Sequence, residues 1–496
     1  MCGILLVKSK TKISLDQHLQ AFRMLQSRGP DFSKFQFKND IFIGQTVLHI
    51  TGTDAFYNTE HTNFLAYNGE IYNYKQLGSY QNDIEFVHEC VENNVMRINQ
   101  GWGPWAWAWT DNNTVRYASD PQGERCLYHY QDDNILIVCS EVAPILTYIS
   151  AQKVWQDYQT KHWCMLYDTP WTGVSRIEPG QLYQDGVIVK KIDSIFDWVQ
   201  YQGYSTMDEA YEQFSMIWQD TIDQMIPNCQ AALTYSGGLD SSVILNSIPG
   251  LELYAVNNVG KDPIVDRIPE FLTVNELSRL HQYAVDPVQW AESFVELSDC
   301  LQMPVQSWSF VGQWIIGQNC NQRVLFTGVG ADELFGGYDL YRTIPYADCS
   351  HSPYSRHHPY SDTQLWNQCL GVYNGHPGQA TLLMDYLHQI VGCDAQGLDA
   401  IAGAWGIETR NPFMAKPVIE FALNLNHGFK VADVTKPLIR RMFLERWSQD
   451  MIMPKKGFSG HCNDSLPWLG IDVIPTGNRD QDWKSIIQTS FYNCPN

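Results

Sequence analysis

A strand that runs directly into a glycine turn and a helix constrains the fold more than any other part of the sequence. Ala231–Tyr235 is a short apolar run, Ser236-Gly237-Gly238 follows as a turn, and Ser241–Ile248 has the composition of a helix. Such a strand–turn–helix unit normally belongs to a parallel sheet of α/β type, with helical segments such as Thr273–Leu280 between its strands. The same alternation continues in three further apolar runs: Leu253–Val256, Gln282–Val285 and Val324–Thr327.

The first half of the chain is predicted to consist mainly of antiparallel strands. Trp105–Trp109 alternates large and small residues, as in a strand whose two faces meet different neighbours. One helix is marked by Ser14, a candidate N-cap, and by the apolar residues that recur after it at helical spacing. Strands with few helices predict layered sheets covered by helices. The other strand candidates are Ile41–Ile50, Asn63–Tyr67, Thr114–Ala118 and Ile135–Cys139.

The length of the chain predicts at least two domains, because 496 residues exceed one ordinary core. The change of pattern near Ile195–Thr206 predicts domains at residues 1–195 and 206–496. The expected fold class is mixed, with α+β layers in the first domain and an α/β parallel sheet in the second.

Charge and cysteine content exclude several classes of protein. The 33 Lys and Arg against 54 Asp and Glu give a net charge of −21, which would repel a nucleic acid backbone. The 13 cysteines include no C-x-x-C pair, so neither a disulfide framework nor a zinc site is indicated. The apolar run Ile4–Val7 is too short for a signal peptide or a membrane span. We expect a cytoplasmic protein that binds neither nucleic acid nor membrane.

The turn after Ala231–Tyr235 has the features of an anion site. Gly237 and Gly238 allow close approach of the backbone, and the N–H groups at the start of the following helix converge on an anion. Asp240 would repel a phosphate unless Mg²⁺ lies between them. No lysine follows the glycines, so this is not a Walker-type loop. The stretch resembles the pyrophosphate loop of enzymes that split ATP into AMP and pyrophosphate; an ordinary glycine turn is the alternative.

A second acidic cluster follows the strand Val324–Thr327. Gly328–Tyr338 (GVGADELFGGY) places Asp332 and Glu333 at a strand end, where α/β sheets bind ligands. Asp332 and Asp240 together could hold Mg²⁺. A helix cap with solvated acids is the alternative.

Cys2 directly follows the initiator methionine. Removal of Met1 would leave a thiol beside a free α-amine, which can accept the thiol proton and so create an N-terminal nucleophile. Chance placement is the alternative.

Taken together, the motifs resemble one family along nearly the whole chain, the glutamine-dependent asparagine synthetases. The combination is specific, although no single motif is. The motifs are the opening M-C-G-I, Arg28–Asp31 (RGPD), Asn68–Asn73 (NGEIYN), Asn82–Glu85 (NDIE), Ser236–Ser241 (SGGLDS), Gly328–Tyr338, Glu408–Phe413 (ETRNPF) and Lys455–Phe458 (KKGF).

The resemblance implies a four-layered αββα glutaminase of the N-terminal-nucleophile type in the first domain. Cys2 matches its nucleophile, which attacks the side-chain amide of glutamine. Asn68 and Gly69 match the oxyanion hole, and Glu70 and Asp83 match the acids that hold the α-ammonium group of glutamine.

In the second domain the resemblance implies an ATP pyrophosphatase (PP-loop) site. Lys455 matches a lysine near the reacting phosphate. The residues implied to bind ATP are Leu233, Ser236, Gly237, Gly238, Asp240, Ser241, Val256, Thr327 and Gly328, with Asp240 and Asp332 holding Mg²⁺.

Two departures from the family pattern affect the expected substrates. Val47 stands where such glutaminases carry an arginine for the α-carboxylate of glutamine, with His49 or Arg28 as candidate replacements. Val329 stands where asparagine synthetases carry a glutamate that handles the proton of the attacking ammonia.

The sequence therefore predicts a ligase that adenylates aspartate with ATP and amidates it with ammonia from glutamine. The alternatives are a ligase of the same family for another acid or amine, similar to β-lactam synthetases, and a regulatory relative without catalysis. The expected partners are small molecules (glutamine, aspartate and ATP), and a homodimer is the assembly to test.

Overall fold

The computed structural model describes residues 1–50, 63–153, 167–200, 203–258, 267–307, 309–343 and 363–453. These residues form two compact units. The first unit holds the described residues up to Trp198 together with Ala395–Glu408, and the second holds those of Val199–Asp394 and those from Thr409 onward. Within the described ranges, no helix is both long enough and apolar enough to cross a membrane.

The strands and helices are numbered in chain order. The strands are β1 (Gly3–Ser9), β2 (Phe32–Lys38), β3 (Ile41–Val47), β4 (Phe64–Gly69), β5 (Trp105–Thr110), β6 (Val115–Ser119), β7 (Tyr128–Gln131), β8 (Ile135–Cys139), β9 (Val174–Arg176), β10 (Gln181–Gln184), β11 (Val187–Lys191), β12 (Ala231–Thr234), β13 (Glu252–Asn258), β14 (Leu280–Val285), β15 (Val324–Phe326) and β16 (Glu408–Arg410). The helices are α1 (Leu15–Arg23), α2 (Tyr74–Leu77), α3 (Asp83–Asn93), α4 (Val142–Leu146), α5 (Met207–Met225), α6 (Leu239–Ser247), α7 (Val274–Leu277), α8 (Pro287–Leu301), α9 (Ser309–Asn319), α10 (Ala331–Phe335), α11 (Leu340–Thr343), α12 (Thr363–Val372), α13 (Pro377–Asp385), α14 (Ala395–Ala404), α15 (Lys416–Asn424), α16 (His427–Lys430) and α17 (Pro437–Leu444).

The first unit is built on two antiparallel sheets. One has the strand order β2-β3-β1-β8-β7-β9 and the other the order β11-β10-β6-β5-β4. Ala106 and Ala108 of β5 face the core that also contains Ile4 and Leu6 of β1. The tryptophans of β5 face the opposite way, into a core shared with α3. The alternation of large and small residues therefore separates a sheet–sheet layer from a sheet–helix layer, as predicted.

The helices of the first unit begin where their capping residues dictate. The Ser14 side chain accepts a hydrogen bond from the Gln17 N–H at the start of α1, which confirms the predicted N-cap. Asn82 caps α3 in the same way through the Glu85 N–H. With α3 on one sheet and α1 beside the other, the layers follow the expected αββα order.

The second unit contains a five-stranded sheet with the order β14-β13-β12-β15-β16. Strand β12 pairs in parallel with both β13 and β15, so the loops after Thr234 and after Phe326 leave the same edge of the sheet side by side. The parallel sheet and the antiparallel layers of the first unit confirm the predicted fold class.

Two predicted elements are clearly shorter in the structure. The predicted helix Thr273–Leu280 is reduced to one turn, α7, because Thr273 caps it and the chain enters β14 at Leu280. The predicted strand Ile41–Ile50 ends at Val47, where the turn Arg28–Asp31 takes over the hydrogen bonding: the Asp31 N–H donates to the Val47 carbonyl at 3.1 Å.

Gly29 is the residue that lets this turn lie against β3. A Cβ atom at Gly29 would lie 2.1 Å from the Val47 nitrogen and 2.3 Å from the Thr46 carbonyl carbon. Both are backbone atoms that cannot move aside alone, so the turn requires glycine.

We predict that Gly29→Ala lowers the free energy of unfolding by about 2 kcal/mol or more, because the added methyl displaces backbone. Chemical denaturation followed by tryptophan fluorescence measures this loss. Gly371→Ala is the control, since nothing lies within 4 Å of the added atom in helix α12. A Gly29→Ala protein as stable as the control would show that the turn does not contact β3 this closely.

Candidate active sites

Asn68 lies directly beside Cys2 at the start of the chain. The Cys2 N–H donates to Asn68 Oδ1 at 2.7 Å, and the Asn68 side chain is fully buried. This contact fixes the orientation of the amide, and no described residue accepts a hydrogen bond from its Nδ2. A buried donor without an acceptor is costly in a folded protein. Such a donor is what the predicted oxyanion hole requires, and the role of Asn68 in one stays a prediction.

Gly69 brings the end of β4 against the segment before β5. A Cβ atom here would lie 2.3 Å from the Pro104 carbonyl oxygen and 2.6 Å from the Trp105 Cα. The next residue, Glu70, donates its N–H to the same Pro104 oxygen at 2.9 Å. The close approach of these two segments therefore holds Asn68, Gly69 and Glu70 in one turn.

Asp83 is attached to this turn from the first residue of α3. Its Oδ2 accepts hydrogen bonds from the Tyr67 hydroxyl at 2.9 Å and from the Ile71 N–H at 3.0 Å. Burial raises the pKa of Asp83 to about 6, and the nearby carboxylate of Glu408 adds to the rise. Of the predicted glutamine acids, Glu70 therefore lies in the same turn as Asn68, and Asp83 is hydrogen-bonded to that turn.

Glu408 is a residue of this site to which the sequence assigns no role. Its Oε2 lies 3.6 Å from the α-ammonium group of Met1, and both side chains are buried. The sequence marks Glu408–Phe413 as a motif of the second domain, but nothing local indicates that its first residue reaches the amino terminus.

Arg28 is fully buried and uses its whole guanidinium group within the first unit. Its Nε donates to the Cys2 carbonyl at 3.1 Å, and its terminal nitrogens donate to Glu141 at 3.2 Å and to Asp399 at 2.8 Å. Burial alone would lower the pKa of Arg28, but Asp399 and Glu141 raise it above its ordinary value. Arg28 is therefore committed to internal contacts, which leaves His49 as the replacement candidate beside the buried Val47.

The loop between β12 and α6 forms the second site. Gly237 has a φ of +72°, a conformation that favours glycine, and Gly238 caps α6 with its backbone. The loop hydrogen-bonds to itself, since the Gly238 N–H donates to Ser236 Oγ at 3.2 Å and the Ser236 N–H donates to Ser241 Oγ at 3.3 Å. These predicted ATP-binding groups therefore converge around one turn.

The loop after β15 lies against that turn. A Cβ atom at Gly328 would be 3.1 Å from the Cβ of Asp240, so the two loops touch. Thr327 is buried and donates from its hydroxyl to Asn411 Oδ1 at 2.5 Å. Leu233 and Val256 are buried in the neighbouring strands β12 and β13. Lys455, the remaining predicted residue, lies outside the described residues.

Lys436 joins the two predicted metal-binding acids and was not identified from the sequence. Its ammonium group lies 2.6 and 2.7 Å from the two carboxylate oxygens of Asp240 and 2.6 Å from Asp332 Oδ1. Only 3% of its side chain is exposed. A Cβ atom at Gly337 would lie 1.8 Å from Asp332 Oδ1, so this glycine makes room for the contact. Both carboxylates are thus aimed at one cation.

This arrangement fits a magnesium ion bound together with phosphates. Asp240 and Asp332 reach a common position, which the Lys436 ammonium occupies. A magnesium ion bound there would displace the ammonium group. Among the described residues no cluster of three or more His, Cys, Asp or Glu side chains could hold a metal ion. Magnesium is commonly held by only one or two carboxylates plus the phosphates of its substrate, so two acids suffice.

Family models match both halves of the chain. Residues 1–191 match the glutamine amidotransferase domain, and residues 221–467 match asparagine synthase.

Curated relatives match the chain nearly from end to end. Asparagine synthetase B [glutamine-hydrolyzing] of Escherichia coli (strain K12) is 22% identical and the match covers 99% of this chain and 87% of the relative. Asparagine synthetase [glutamine-hydrolyzing] of Sandersonia aurantiaca is 23% identical, and the match covers 94% of this chain and 84% of the relative. The probable asparagine synthetase [glutamine-hydrolyzing] of Acanthamoeba polyphaga mimivirus is 23% identical, and the match covers 92% of this chain and 85% of the relative. With a glutamine amidotransferase domain followed by an asparagine synthase domain, the chain belongs to the asparagine synthetase family.

Proposed function

We propose that this chain is a glutamine-dependent asparagine synthetase that converts aspartate, ATP, glutamine and water into asparagine, AMP, pyrophosphate and glutamate. Residues 1–195 would form the glutaminase and residues 206–496 the synthetase, in the cytoplasm. The observation that carries the proposal is the convergence of Asp240 and Asp332 on one cation position beside the glycine loop. The names of the relatives at 22–23% identity support it.

In the glutaminase, Cys2 attacks the side-chain carbonyl carbon of glutamine after Met1 has been removed. The α-amine of Cys2 takes the thiol proton and passes it to the departing ammonia. Asn68 Nδ2 and the Gly69 N–H stabilise the oxygen that becomes negative in the tetrahedral intermediate. Water then hydrolyses the thioester to glutamate. Glu70 and Asp83 hold the α-ammonium group of glutamine in place.

Val47 leaves the α-carboxylate of glutamine without the usual arginine. A hydrogen bond to a charged group contributes roughly 1.5–3 kcal/mol, so we expect glutamine to bind weakly compared with an arginine-bearing relative. His49 follows Val47 by two residues and is the group we propose for partial compensation.

In the synthetase, the loop Ser236–Ser241 binds the phosphates of ATP, with Leu233, Val256, Thr327 and Gly328 around the adenosine. A bound magnesium ion would neutralise charge on the phosphates, held by Asp240 and Asp332. An oxygen of the acid attacks the α-phosphorus, pyrophosphate leaves, and ammonia then displaces AMP from the acyl adenylate. Lys455 is proposed to stabilise the charge that develops on the reacting phosphate.

Lys436 neutralises the two carboxylates beside the loop. Two carboxylates that share one position repel each other unless a cation lies between them. The Lys436 ammonium supplies such a cation. With a magnesium ion held by Asp240 and Asp332, the Lys436 ammonium would be available to a phosphate oxygen instead.

Val329 supports a second candidate, a ligase of the same reaction type for another acid or amine. It lies between Gly328 and Gly330 at the strand end, and its side chain cannot accept a proton from an attacking amine. A chain of this family that had lost catalysis is the remaining alternative, and the first experiment below separates all three.

We predict that the protein with Mg·ATP releases pyrophosphate when the correct acid is added, with aspartate tested first. Asp240→Asn should slow this release by about 10²-fold or more, because a charge that binds the magnesium–phosphate unit is lost. Asp220→Asn, on the exposed face of α5, is the matched control. Release of ADP and phosphate would refute the proposed chemistry. Pyrophosphate release with another acid but not with aspartate would favour the second candidate. No pyrophosphate release with any acid would favour a chain that has lost catalysis.

We predict that Cys2→Ala abolishes glutamate formation from glutamine and leaves ammonium-dependent pyrophosphate release intact, since the thiol acts only in the glutaminase. Cys229→Ala removes an exposed thiol and is the control. Mass spectrometry should show wild-type protein that begins at Cys2. Full glutamine-dependent activity in Cys2→Ala would refute the assignment of the nucleophile.

We predict that the KM for glutamine rises as the pH falls below about 6. Burial raises the pKa of Asp83 to about 6, so acidification neutralises a carboxylate that attracts the α-ammonium group. Well below that pH the KM should increase up to about tenfold per pH unit, as for one proton. In the ammonium-dependent reaction, the KM expressed as unprotonated ammonia should lack this rise, and Asp83→Asn should show a high KM for glutamine that is flat with pH. A wild-type KM that stays constant down to pH 5 would contradict the role of Asp83.

A further inference from the structure

The first unit contains a helix that the sequence assigns to the other half of the chain. Helix α14 and the residues up to Glu408 group with the amino-terminal sheets. Its residue Asp399 is buried, with an exposed fraction of 1%. Asp399 Oδ2 accepts a hydrogen bond from Arg28 at 2.8 Å, and its Oδ1 lies 3.6 Å from a terminal nitrogen of Arg125. One carboxylate thus lies between two buried guanidinium groups.

Arg28 connects this carboxylate to the backbone of Cys2. Its Nε donates to the Cys2 carbonyl at 3.1 Å while a terminal nitrogen is held by Asp399. On the other side, the Cys2 nitrogen contacts Asn68 at 2.7 Å. The backbone of Cys2 is therefore fixed at both ends, by the asparagine with the unpaired donor and by an arginine that Asp399 orients.

Gly403 gives a second and independent indication that α14 is fitted to Arg28. A Cβ atom at Gly403 would lie 2.7 Å from an Arg28 terminal nitrogen and 3.0 Å from its Cγ. A side chain at position 403 would therefore fit only if the Arg28 side chain moved. One turn earlier on the same helix, Asp399 meets the same guanidinium group.

We propose that Asp399 is a positioning residue for the Cys2 nucleophile and acts through Arg28. A buried guanidinium group takes the orientation that its carboxylate partners impose, because water is not present to compensate. Without Asp399, Arg28 is drawn toward Glu141 and its hold on the Cys2 carbonyl is lost. The inference rests on the proposed glutaminase function. It adds that the glutaminase needs α14, which a fragment ending at residue 195 would lack.

The test is Asp399→Asn in the full-length protein, measured in two assays. Glutamate formation from glutamine should lose about 10²-fold in kcat, the effect of a small misplacement of a reacting group. The KM for glutamine should change by no more than about twofold, because Glu70 and Asp83 still hold the substrate. Ammonium-dependent pyrophosphate release should stay at the wild-type rate. Asp193→Asn, which removes another buried carboxylate of the same unit, should change neither assay.

If Asp399→Asn does not fold, Gly403→Ala tests the same role of Arg28. Alanine favours the helix more than glycine does, so this variant keeps the fold while its methyl group pushes against Arg28. The same selective fall in glutamine-dependent kcat supports the inference. A glutamine-dependent kcat at the wild-type value in either folded variant overturns it, and so does a loss confined to KM. A wild-type protein that forms no glutamate from glutamine would instead refute the proposed function.

Discussion

The buried charge of Arg28 is the constraint on which the arrangement around Cys2 depends. A guanidinium group without solvent must be surrounded by carboxylates and carbonyls, and here these come from Cys2, Glu141 and Asp399. The requirement draws together the first residues of the chain, the turn that follows α1 and a helix almost 400 residues later. It also explains why a glycine stands at position 403, since a Cβ atom there would lie 2.7 Å from an Arg28 terminal nitrogen.

The second site balances charge in a different way. Asp240 and Asp332 are carried to one edge of the parallel sheet by β12 and β15, whose register sets their loops side by side. Lys436 then neutralises both acids. Arg28 is permanently enclosed, whereas Lys436 holds a position that a magnesium–phosphate unit is proposed to take. The contacts of Arg28 are therefore structural, and we propose that those of Lys436 are exchanged when substrate binds.

The sequence predicts what is local and misses what depends on distant segments. The two faces of Trp105–Trp109 and the strand–turn–helix of the glycine loop follow from residue spacing alone, because such patterns depend on near neighbours. Asp240 and Asp332 could be paired from the sequence, since both follow parallel strands. Asp399 and Lys436 could not, because an acid in an apolar helix and a lysine before a proline give no sign of their partners. Arg28 was recognised by its motif, but its enclosure appeared only with the fold.

The central claim is that nitrogen released from glutamine at Cys2 becomes the amide of an acid activated at the Asp240 loop. The most direct measurement follows glutamine labelled with ¹⁵N in its side-chain amide, with Mg·ATP, aspartate and an excess of unlabelled ammonium as competitor in a parallel reaction. We predict ¹⁵N in the asparagine amide, one AMP and one pyrophosphate for each asparagine formed, and dilution of the label by the competitor. Asparagine that carries no ¹⁵N in the reaction without competitor, or ADP as the nucleotide product, would contradict it.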